Sequence, residues 1–297
     1  MMRTERAYAK INLYLDVVGR RENGYHNIIS IMQTVSVCDL VSVEFSRGEQ
    51  TLISLSATGN DRMPTDCKNL AWRAADLYLS QTGICGKVAI TIEKRIPMAA
   101  GLAGGSSDAA AVLRALNQLC GKPLSTEELC ALGAKLGADI PFCIVGGGAL
   151  VTGIGEELKP LDPMPPCHLA VACMGEGIST PWGYGKLDEL HNNFVDFKSR
   201  DERCEQLINA MRRDELLDTT DCLYNIFEEI VPTVQPYVNR LKTMMLENGA
   251  IASMMSGSGP SVFGLFASSQ AAERAVESMK VLGASAFVCQ PTKAYSD

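Results

Sequence analysis

The chain is predicted to be an α+β protein with two domains, and three observations support this. Runs in which apolar and polar residues alternate, as in half-buried strands, are interspersed with runs of helical spacing. Prolines clustered between residues 160 and 166 interrupt this pattern and mark a domain boundary, which divides residues 1–160 from 161–297. Beyond the boundary the predicted order is strand, helix, two strands, helix and strand, which is the order of a ferredoxin-like domain.

Composition limits the class of protein. The 297 residues are 46% hydrophobic, which suffices for a large core. The net charge of −7, with no run of more than two basic residues, argues against nucleic acid or an anionic membrane as a partner. The scattered cysteines contain no Cys-x-x-Cys pair and are typical of reduced thiols in a cytoplasmic protein, and no segment has the length of a membrane span. The choice between a monomer and a homodimer stays open.

The first domain opens with a β-rich region. Residues 7–18 alternate strictly, which predicts a half-buried strand whose polar face carries Lys10 and Asn12, spaced so that both can reach one ligand. A strand over residues 40–45 follows, and residues 51–56 are expected to pair with it. The next predicted elements are a helix over residues 69–79 and a strand over residues 87–94.

Residues 97–108 have a composition that suits no ordinary structural role. Glycines and serines separate a strand pattern from a helix predicted over residues 107–119, with its N-terminus near Ser106. Glycine-rich backbone and a helix N-terminus together form a site suited to phosphate. A flexible loop that ends in an N-cap explains the same residues, so the pattern alone leaves both interpretations open.

Later segments add two further features. A capping box starts a helix at Ser125, and Asp139 falls in the turn after that helix. A second Gly/Ser cluster, residues 255–260, joins two strands of the second domain, where a plain hairpin loop is the alternative. Neither glycine cluster has Walker A or Rossmann spacing. The remaining predicted elements are strands over 149–152, 168–173, 251–254, 261–266 and 285–290, helices over 233–248 and 268–282, and an exposed helical insertion over 191–214.

Three segments together resemble the signature motifs of the GHMP kinases, the family of galactokinase, homoserine kinase, mevalonate kinase and phosphomevalonate kinase. These segments are residues 9–13, 97–107 and 256–259. Residues 19–26, 105–110 and 137–142 are similar to those members of the family that act in the non-mevalonate route to isoprenoid precursors, on an alcohol that carries cytidine diphosphate. The resemblance covers nearly the whole chain and is densest before residue 150.

The resemblance implies an ATP-dependent phosphorylation of an alcohol, with Mg²⁺ accompanying the nucleotide and no metal ligand identified. It also implies an N-terminal domain like that of ribosomal protein S5 and a ferredoxin-like C-terminal domain, with the active site in the cleft between them. Ala103 stands where the family often has glycine, a difference that costs little if φ is negative there. The implied nucleotide-binding residues are Pro97, Met98, Ala99, Ala100, Gly101, Leu102, Ala103, Gly104, Gly105, Ser106 and Ser107, with Asn69 and Lys94 at the adenosine.

Lys10 and Asp139 are the catalytic residues that the resemblance implies. Asp139 would orient and deprotonate the attacking hydroxyl, and Lys10 would keep Asp139 ionised and offset charge on the transferring phosphoryl group. Because an aspartate beside a lysine is a weak base, orientation is expected to outweigh proton removal.

Tyr25 and His26 are the implied binding residues for the cytidyl group. An aromatic face can stack on a pyrimidine, and an imidazole can hydrogen-bond its edge. Asn12 is expected nearby, and Tyr184 is expected to complete the stack from the other domain, with Trp182 as the alternative.

Two other functions remain open at this level. Another small-alcohol kinase of the same family, of the mevalonate or homoserine type, would share the glycine loops. A non-catalytic sensor of nucleotide and substrate would be marked by degenerate catalytic positions, whereas Lys10 and Asp139 are both present.

Overall fold

Two β-sheets and the helices packed on them make up the protein, as seen in a computed structural model that describes residues 1–194 and 202–295. The strands are β1 (Met2–Arg20), β2 (His26–Arg47), β3 (Leu52–Thr58), β4 (Gly86–Glu93), β5 (Gly148–Thr152), β6 (Glu157–Leu161), β7 (His168–Cys173), β8 (Tyr224–Asn225), β9 (Ala252–Met255), β10 (Val262–Phe266) and β11 (Ser285–Cys289). The α-helices are α1 (Leu70–Thr82), α2 (Gly104–Leu119), α3 (Thr126–Ala134), α4 (Ile140–Val145), α5 (Thr180–Leu190), α6 (Glu202–Arg212), α7 (Leu216–Asp221), α8 (Val231–Val234), α9 (Tyr237–Glu247) and α10 (Ser269–Val281). Two 3₁₀ segments span Asn192–Phe194 and Ile226–Glu229.

The first sheet has the order β3-β4-β2-β1-β8, with β5 paired to β2 and β6 paired to β5. The expected pairing of residues 51–56 with 40–45 is wrong, because β4 lies between β3 and β2. The chain crosses over through α1 between β3 and β4, which makes that pair parallel. The predicted helix and strand in this region are confirmed as α1 and β4.

Strand β1 is buried on both faces, so the expected half-buried strand is wrong. Its side chains at Lys10, Asn12, Tyr14 and Asp16, predicted to form a polar face, are all less than a tenth exposed. The strand pairs along its length with β2 and at its centre with β8, and the loop before β10 covers the polar face. Polar groups in such a place must find partners inside the protein.

The second sheet has the order β11-β7-β10-β9 and is antiparallel throughout. In chain order this is 4-1-3-2, so the predicted ferredoxin-like arrangement is confirmed. The single helix predicted over 233–248 is two helices, α8 and α9, because Pro236 has no N–H to continue the first one.

Helix α6 corrects the expectation of an exposed insertion. Its apolar side, with Cys204, Leu207 and Met211, packs into the cluster between the two sheets. The polar side faces solvent, as the charge of this stretch predicted. Residues 195–201 of the same prediction lie outside the described residues.

The hydrophobic core between the two sheets determines where their loops lie relative to each other. Apolar side chains of β1, such as Ile11 and Leu13, pack against Leu169 and Phe263 of the second sheet. This packing fixes the loops at one end of both sheets against each other. The chain also returns to the first sheet near its end, where Pro291 bridges to Val35. The division at residue 160 stays a prediction. Among the described residues, no helix is long and apolar enough to cross a membrane.

Candidate active site

A cavity of about 850 Å³ lies where the first strand, the β1–β2 turn, the glycine loop, α5 and the loop between β9 and β10 meet. Most of the residues predicted for the site line this one cavity. They are Lys10, Asn12, Tyr25, His26, Ala99, Ala100, Gly101, Ala103, Gly104, Gly105, Ser106, Asp139 and Tyr184. The segments that carry them are far apart in sequence and converge because the two sheets pack together.

The glycine loop ends in the N-terminus of α2, which points its first turn at the cavity. The helix begins at Gly104, earlier than predicted, and no side chain caps its first amides. Ala103 is left-handed, with φ 56°, so the negative φ at which alanine replaces glycine at little cost is not present. Gly101, at φ 78°, also has the conformation that favours glycine. Uncapped amides at the positive end of a helix dipole form an anion site.

The two glycine loops are hydrogen-bonded to each other. Ser256 donates its hydroxyl to the carbonyl of Gly101 at 3.1 Å, and the amide of Ser261 donates to the carbonyl of Ala100 at 3.2 Å. A β-carbon at Gly101 would overlap the carbonyl oxygen of Ser256. Gly101 is therefore required both for its backbone conformation and for the close approach of the second loop.

A chain of hydrogen bonds holds the Lys10 side chain. Lys10 Nζ donates to Asn12 Oδ1 at 2.6 Å, Asn12 Nδ2 donates to Ser30 Oγ at 2.8 Å, and Ser30 Oγ donates to the carbonyl of Tyr14 at 2.7 Å. Both polar groups of the Asn12 amide are used in this way. Asn12 therefore helps to orient the Lys10 ammonium, and because it also lines the cavity its contact with substrate stays a prediction.

Asp139 is the residue before α4 and is half-buried in the wall of the cavity. Its carboxylate accepts no hydrogen bond from the residues that the structure describes, and no ion pair joins it to Lys10, so the expected Lys10–Asp139 pair is absent there. Burial raises the pKa of the Cys143 thiol to about 12; Asp139 adds to that rise, and Lys10 opposes it. The Asp139 and Lys10 charges therefore both act on the Cys143 thiol. Because Asp139 has no hydrogen bond to a described residue, its carboxylate oxygens are free to accept one from a ligand.

The turn between β1 and β2 presents Tyr25 and His26 to the opposite part of the cavity. Tyr25 is 58% exposed, whereas the ring of His26 lies against that of Tyr184, with centroids 4.6 Å apart and planes at 15°. His26 Nε2 lies 2.7 Å from Asp188 Oδ1 on α5. Tyr184, and not Trp182, lines the cavity, and its nearest ring is the imidazole.

Several predicted nucleotide residues do not line the cavity. Lys94 is the largest departure: its side chain is 3% exposed, and its ammonium bonds to Asp39 and to Asp108. The side chain of Asn69 caps α1, accepting from the amide of Ala71 at 2.8 Å, and is also engaged within the protein. The others that lie outside the lining are Pro97, Met98, Leu102 and Ser107.

The structure adds supporting residues that no sequence pattern had indicated. Asn225 donates from Nδ2 to the carbonyls of Met255 and Gly257, at 2.8 and 2.9 Å, and so holds the second glycine loop from behind. Asp188 holds His26. Both act across long sequence separations, and a single asparagine or aspartate in a polar stretch carries no local signal.

The donor set suits a magnesium ion that is carried largely by a nucleotide. Across residues 1–194 and 202–295, no group of three acidic, histidine or cysteine side chains could hold a metal ion. Asp139 and Ser106 are oxygen donors in the wall of the same cavity. Mg²⁺ at nucleotide sites commonly takes one or two protein oxygens and fills its shell with phosphate oxygens and water, so these two residues fit it.

Comparison with known proteins agrees with this geometry. The model for the GHMP kinases N terminal domain matches residues 69–147, and the model for the GHMP kinases C terminal domain matches residues 202–283. A 4-diphosphocytidyl-2-C-methyl-D-erythritol kinase of Caldicellulosiruptor saccharolyticus is 41% identical over 276 residues, which cover 93% of this chain and 92% of the relative.

Two solved structures extend the comparison. A crystal structure of 4-(cytidine 5'-diphospho)-2C-methyl-D-erythritol kinase has a TM-score of 0.78 and 34% identity, covering 97% of this chain and 99% of that one. Homoserine kinase from Cytophaga hutchinsonii, at 19% identity and a TM-score of 0.72 over 99% of this chain and 95% of that one, shows the same fold only. With two family models matched in chain order and a relative similar over nearly its whole length, the chain belongs to the GHMP kinase family.

Proposed function

We propose that the protein transfers the γ-phosphoryl group of ATP to the 2-hydroxyl of 4-diphosphocytidyl-2-C-methyl-D-erythritol. The observation that carries this is the single cavity that holds the α2 N-terminus, the Lys10 and Asp139 side chains and the Tyr25–His26 turn. The named activity of the relatives at about 40% identity supports the same substrate. An anion site and an aromatic turn in one cavity suit two substrates that each carry a nucleotide.

The proposed mechanism follows from where the side chains lie. The amides of the glycine loop and the α2 N-terminus bind the phosphates of ATP. Asp139 accepts a hydrogen bond from the substrate hydroxyl and takes its proton as the oxygen attacks. The new P–O bond forms, the bond from the γ-phosphorus to the bridging oxygen breaks, and ADP leaves. Lys10 offsets the negative charge on the phosphoryl oxygens during transfer.

Orientation is the main contribution of Asp139 in this mechanism. Phosphoryl transfer needs positioning and charge stabilisation more than strong base catalysis. With no pairing to Lys10, the carboxylate oxygens are available to ligands in the cavity, the substrate hydroxyl among them. Asp139 and Ser106 would also hold Mg²⁺, which neutralises phosphate charge when it is bound. We place the reaction in the cytoplasm, on the grounds of the scattered cysteines.

The direct test is turnover of the purified protein with ATP, Mg²⁺ and the proposed alcohol. Phosphorus NMR should show ADP and a new phosphomonoester on the 2-oxygen in equal amounts. Absence of that ester over a range of Mg²⁺ concentrations, with a control kinase active in the same buffer, would falsify the proposal.

A further inference from the structure

His26 and Asp188 form a contact that the proposed mechanism does not use. His26 Nε2 and Asp188 Oδ1 are 2.7 Å apart, and the two side chains are 8% and 14% exposed. The other carboxylate oxygen of Asp188 lies 3.5 Å from a guanidinium nitrogen of Arg20. His26, Asp188 and Arg20 all line the cavity, so this cluster belongs to its wall.

The carboxylate decides which ring nitrogen of a neutral His26 carries the proton. An ionised carboxylate can only accept a hydrogen bond, so its partner Nε2 must be the N–H. The remaining nitrogen, Nδ1, is then a hydrogen-bond acceptor. Nδ1 makes no hydrogen bond to any of the described residues. It is also not one of the fully buried polar atoms that lack a partner, so its surface is accessible and can meet a ligand.

Tyr184 fixes the plane of the same ring. The stacking of the two rings, with planes at 15°, leaves the ring edge as the part of His26 that a ligand can meet. Phe227 packs edge-on against Tyr184 at 5.2 Å and supports that stack. The imidazole is thus held in one plane by Tyr184 and in one protonation pattern by Asp188.

A hydrogen-bond acceptor in this position can distinguish cytosine from uracil. Cytosine presents an amino group at its 4-position, which donates a hydrogen bond, whereas uracil presents a carbonyl oxygen there, which accepts. An acceptor nitrogen facing the 4-position therefore bonds to cytosine and leaves uracil with two opposed acceptors. Sites that depend on such a bond reject the wrong partner strongly, because a desolvated polar group is left unpaired.

We propose that Asp188 sets the base specificity of this cavity, by holding His26 in the tautomer whose Nδ1 accepts from the 4-amino group of a cytidine nucleotide. Asp188 is then a positioning residue that touches no substrate atom. The inference rests on the proposed function, since it takes the cytidyl group to lie at Tyr25–His26.

The test compares binding of CDP and UDP by calorimetry at pH 8. Wild-type protein should prefer CDP. Asp188→Asn, which can both donate and accept, should lower the CDP-to-UDP preference by about tenfold, the value of one hydrogen bond to a charged or oriented group. Affinity for ATP should stay unchanged. Asp188→Glu, which keeps a carboxylate, should restore part of the preference.

Glu189→Gln is the matched control, since Glu189 is the next residue on α5, is exposed and pairs with Lys186. Its CDP-to-UDP preference should equal that of wild type. A second measurement is the tautomer itself, by nitrogen-15 NMR of a chain with only three histidines: Nε2 should carry the proton in wild type, and Asp188→Asn should mix the two tautomers.

The outcomes separate this inference from the proposed function. Equal losses of CDP and UDP affinity in Asp188→Asn, with the preference kept, would show a purely structural role and overturn the inference while leaving the proposed function standing. A proton on Nδ1 in wild type would also overturn it. Wild-type protein that binds neither CDP nor UDP would overturn both.

Discussion

Asp139 is the residue on which the proposed mechanism depends most. Asp139→Asn removes the proton acceptor but keeps the size of a side chain that makes no capping bond to α4. We expect kcat to fall by about 10² or more, the usual contribution of a general base or orienting carboxylate, with the KM for ATP and the melting temperature nearly unchanged. Steady-state kinetics and a thermal melt measure both. An unchanged kcat would remove Asp139 from the reaction.

Tyr25 supplies an exposed aromatic face in the part of the cavity where we propose that the cytidyl group binds. Tyr25→Ala should raise the KM for the cytidyl substrate by about two- to tenfold, since an aromatic stack contributes about 0.5–1.5 kcal/mol, and should leave the KM for ATP as it is. Tyr25→Phe keeps the ring and serves as the control, with a KM close to that of wild type. Equal changes in both KM values would contradict a stacking role for this residue.

At the scale of elements, the account depends on how the two glycine loops meet. Gly101→Ala would bring a β-carbon against the Ser256 carbonyl and would also strain a backbone at φ 78°. We expect a lower melting temperature and a several-fold higher KM for ATP. Gly83→Ala is the matched control, because Gly83 has φ 66° but nothing within 4 Å, so it carries the backbone strain alone. A Gly101→Ala enzyme with wild-type KM for ATP would show that loop contact does not shape the phosphate site.

The buried ions under α2 tie both ends of the glycine loop to one place. Just before the glycine loop, Asp39 accepts hydrogen bonds from the backbone amides of Arg95 and Ile96, the second at 2.8 Å. Just after the loop, Asp108 in α2 binds the same Lys94 ammonium as Asp39. Burial, opposed by the attraction of Lys94 and aided by the repulsion of Asp39, raises the pKa of Asp108 to about 7. One oxygen of Asp108 has no hydrogen-bond partner among the described residues.

This shift has a defined effect on stability. With its pKa raised from 3.8, folded Asp108 holds a proton that the unfolded chain releases, so its contribution is complete below pH 3.8 and is lost as the pH rises through about 7. We therefore expect Asp108→Asn to remove a fall in melting temperature between about pH 4 and 7. The exposed Asp76→Asn should keep the wild-type slope. Parallel slopes in all three proteins would contradict the raised pKa.

Across the whole molecule, the periodicity of apolar residues predicted single helices and strands, which are local features of the chain. The second sheet, helix α1, strand β4 and the capping box of α3 were predictable, because alternation and caps record which face of an element is buried. The position of β4 between β3 and β2 and the burial of both faces of β1 were not predictable, because they depend on which elements pack together. The break at Pro236 was not predicted either, because it lies within a helical pattern of residues.

The site shows the same division between local and distant information. The motifs predicted many, but not all, of the residues that line the cavity, since loop glycines and the Lys10–Asn12 spacing are local features. They did not predict that the Lys94 ammonium would pair with Asp39 and Asp108, or that Asp188 would contact the His26 ring, because each contact joins residues more than ten positions apart. Whether a polar side chain faces a ligand or a buried partner is decided by packing.

One measurement tests the central claim, that a single cleft joins ATP to a cytidyl alcohol. The protein is given ATP, Mg²⁺ and an equimolar mixture of 4-diphosphocytidyl-2-C-methyl-D-erythritol, mevalonate and homoserine, and the phosphorylated products are separated and quantified. We expect the cytidyl product to exceed the other two by at least about 100-fold, which corresponds to about 2.7 kcal/mol of discrimination. A product distribution led by mevalonate or homoserine phosphate would contradict it.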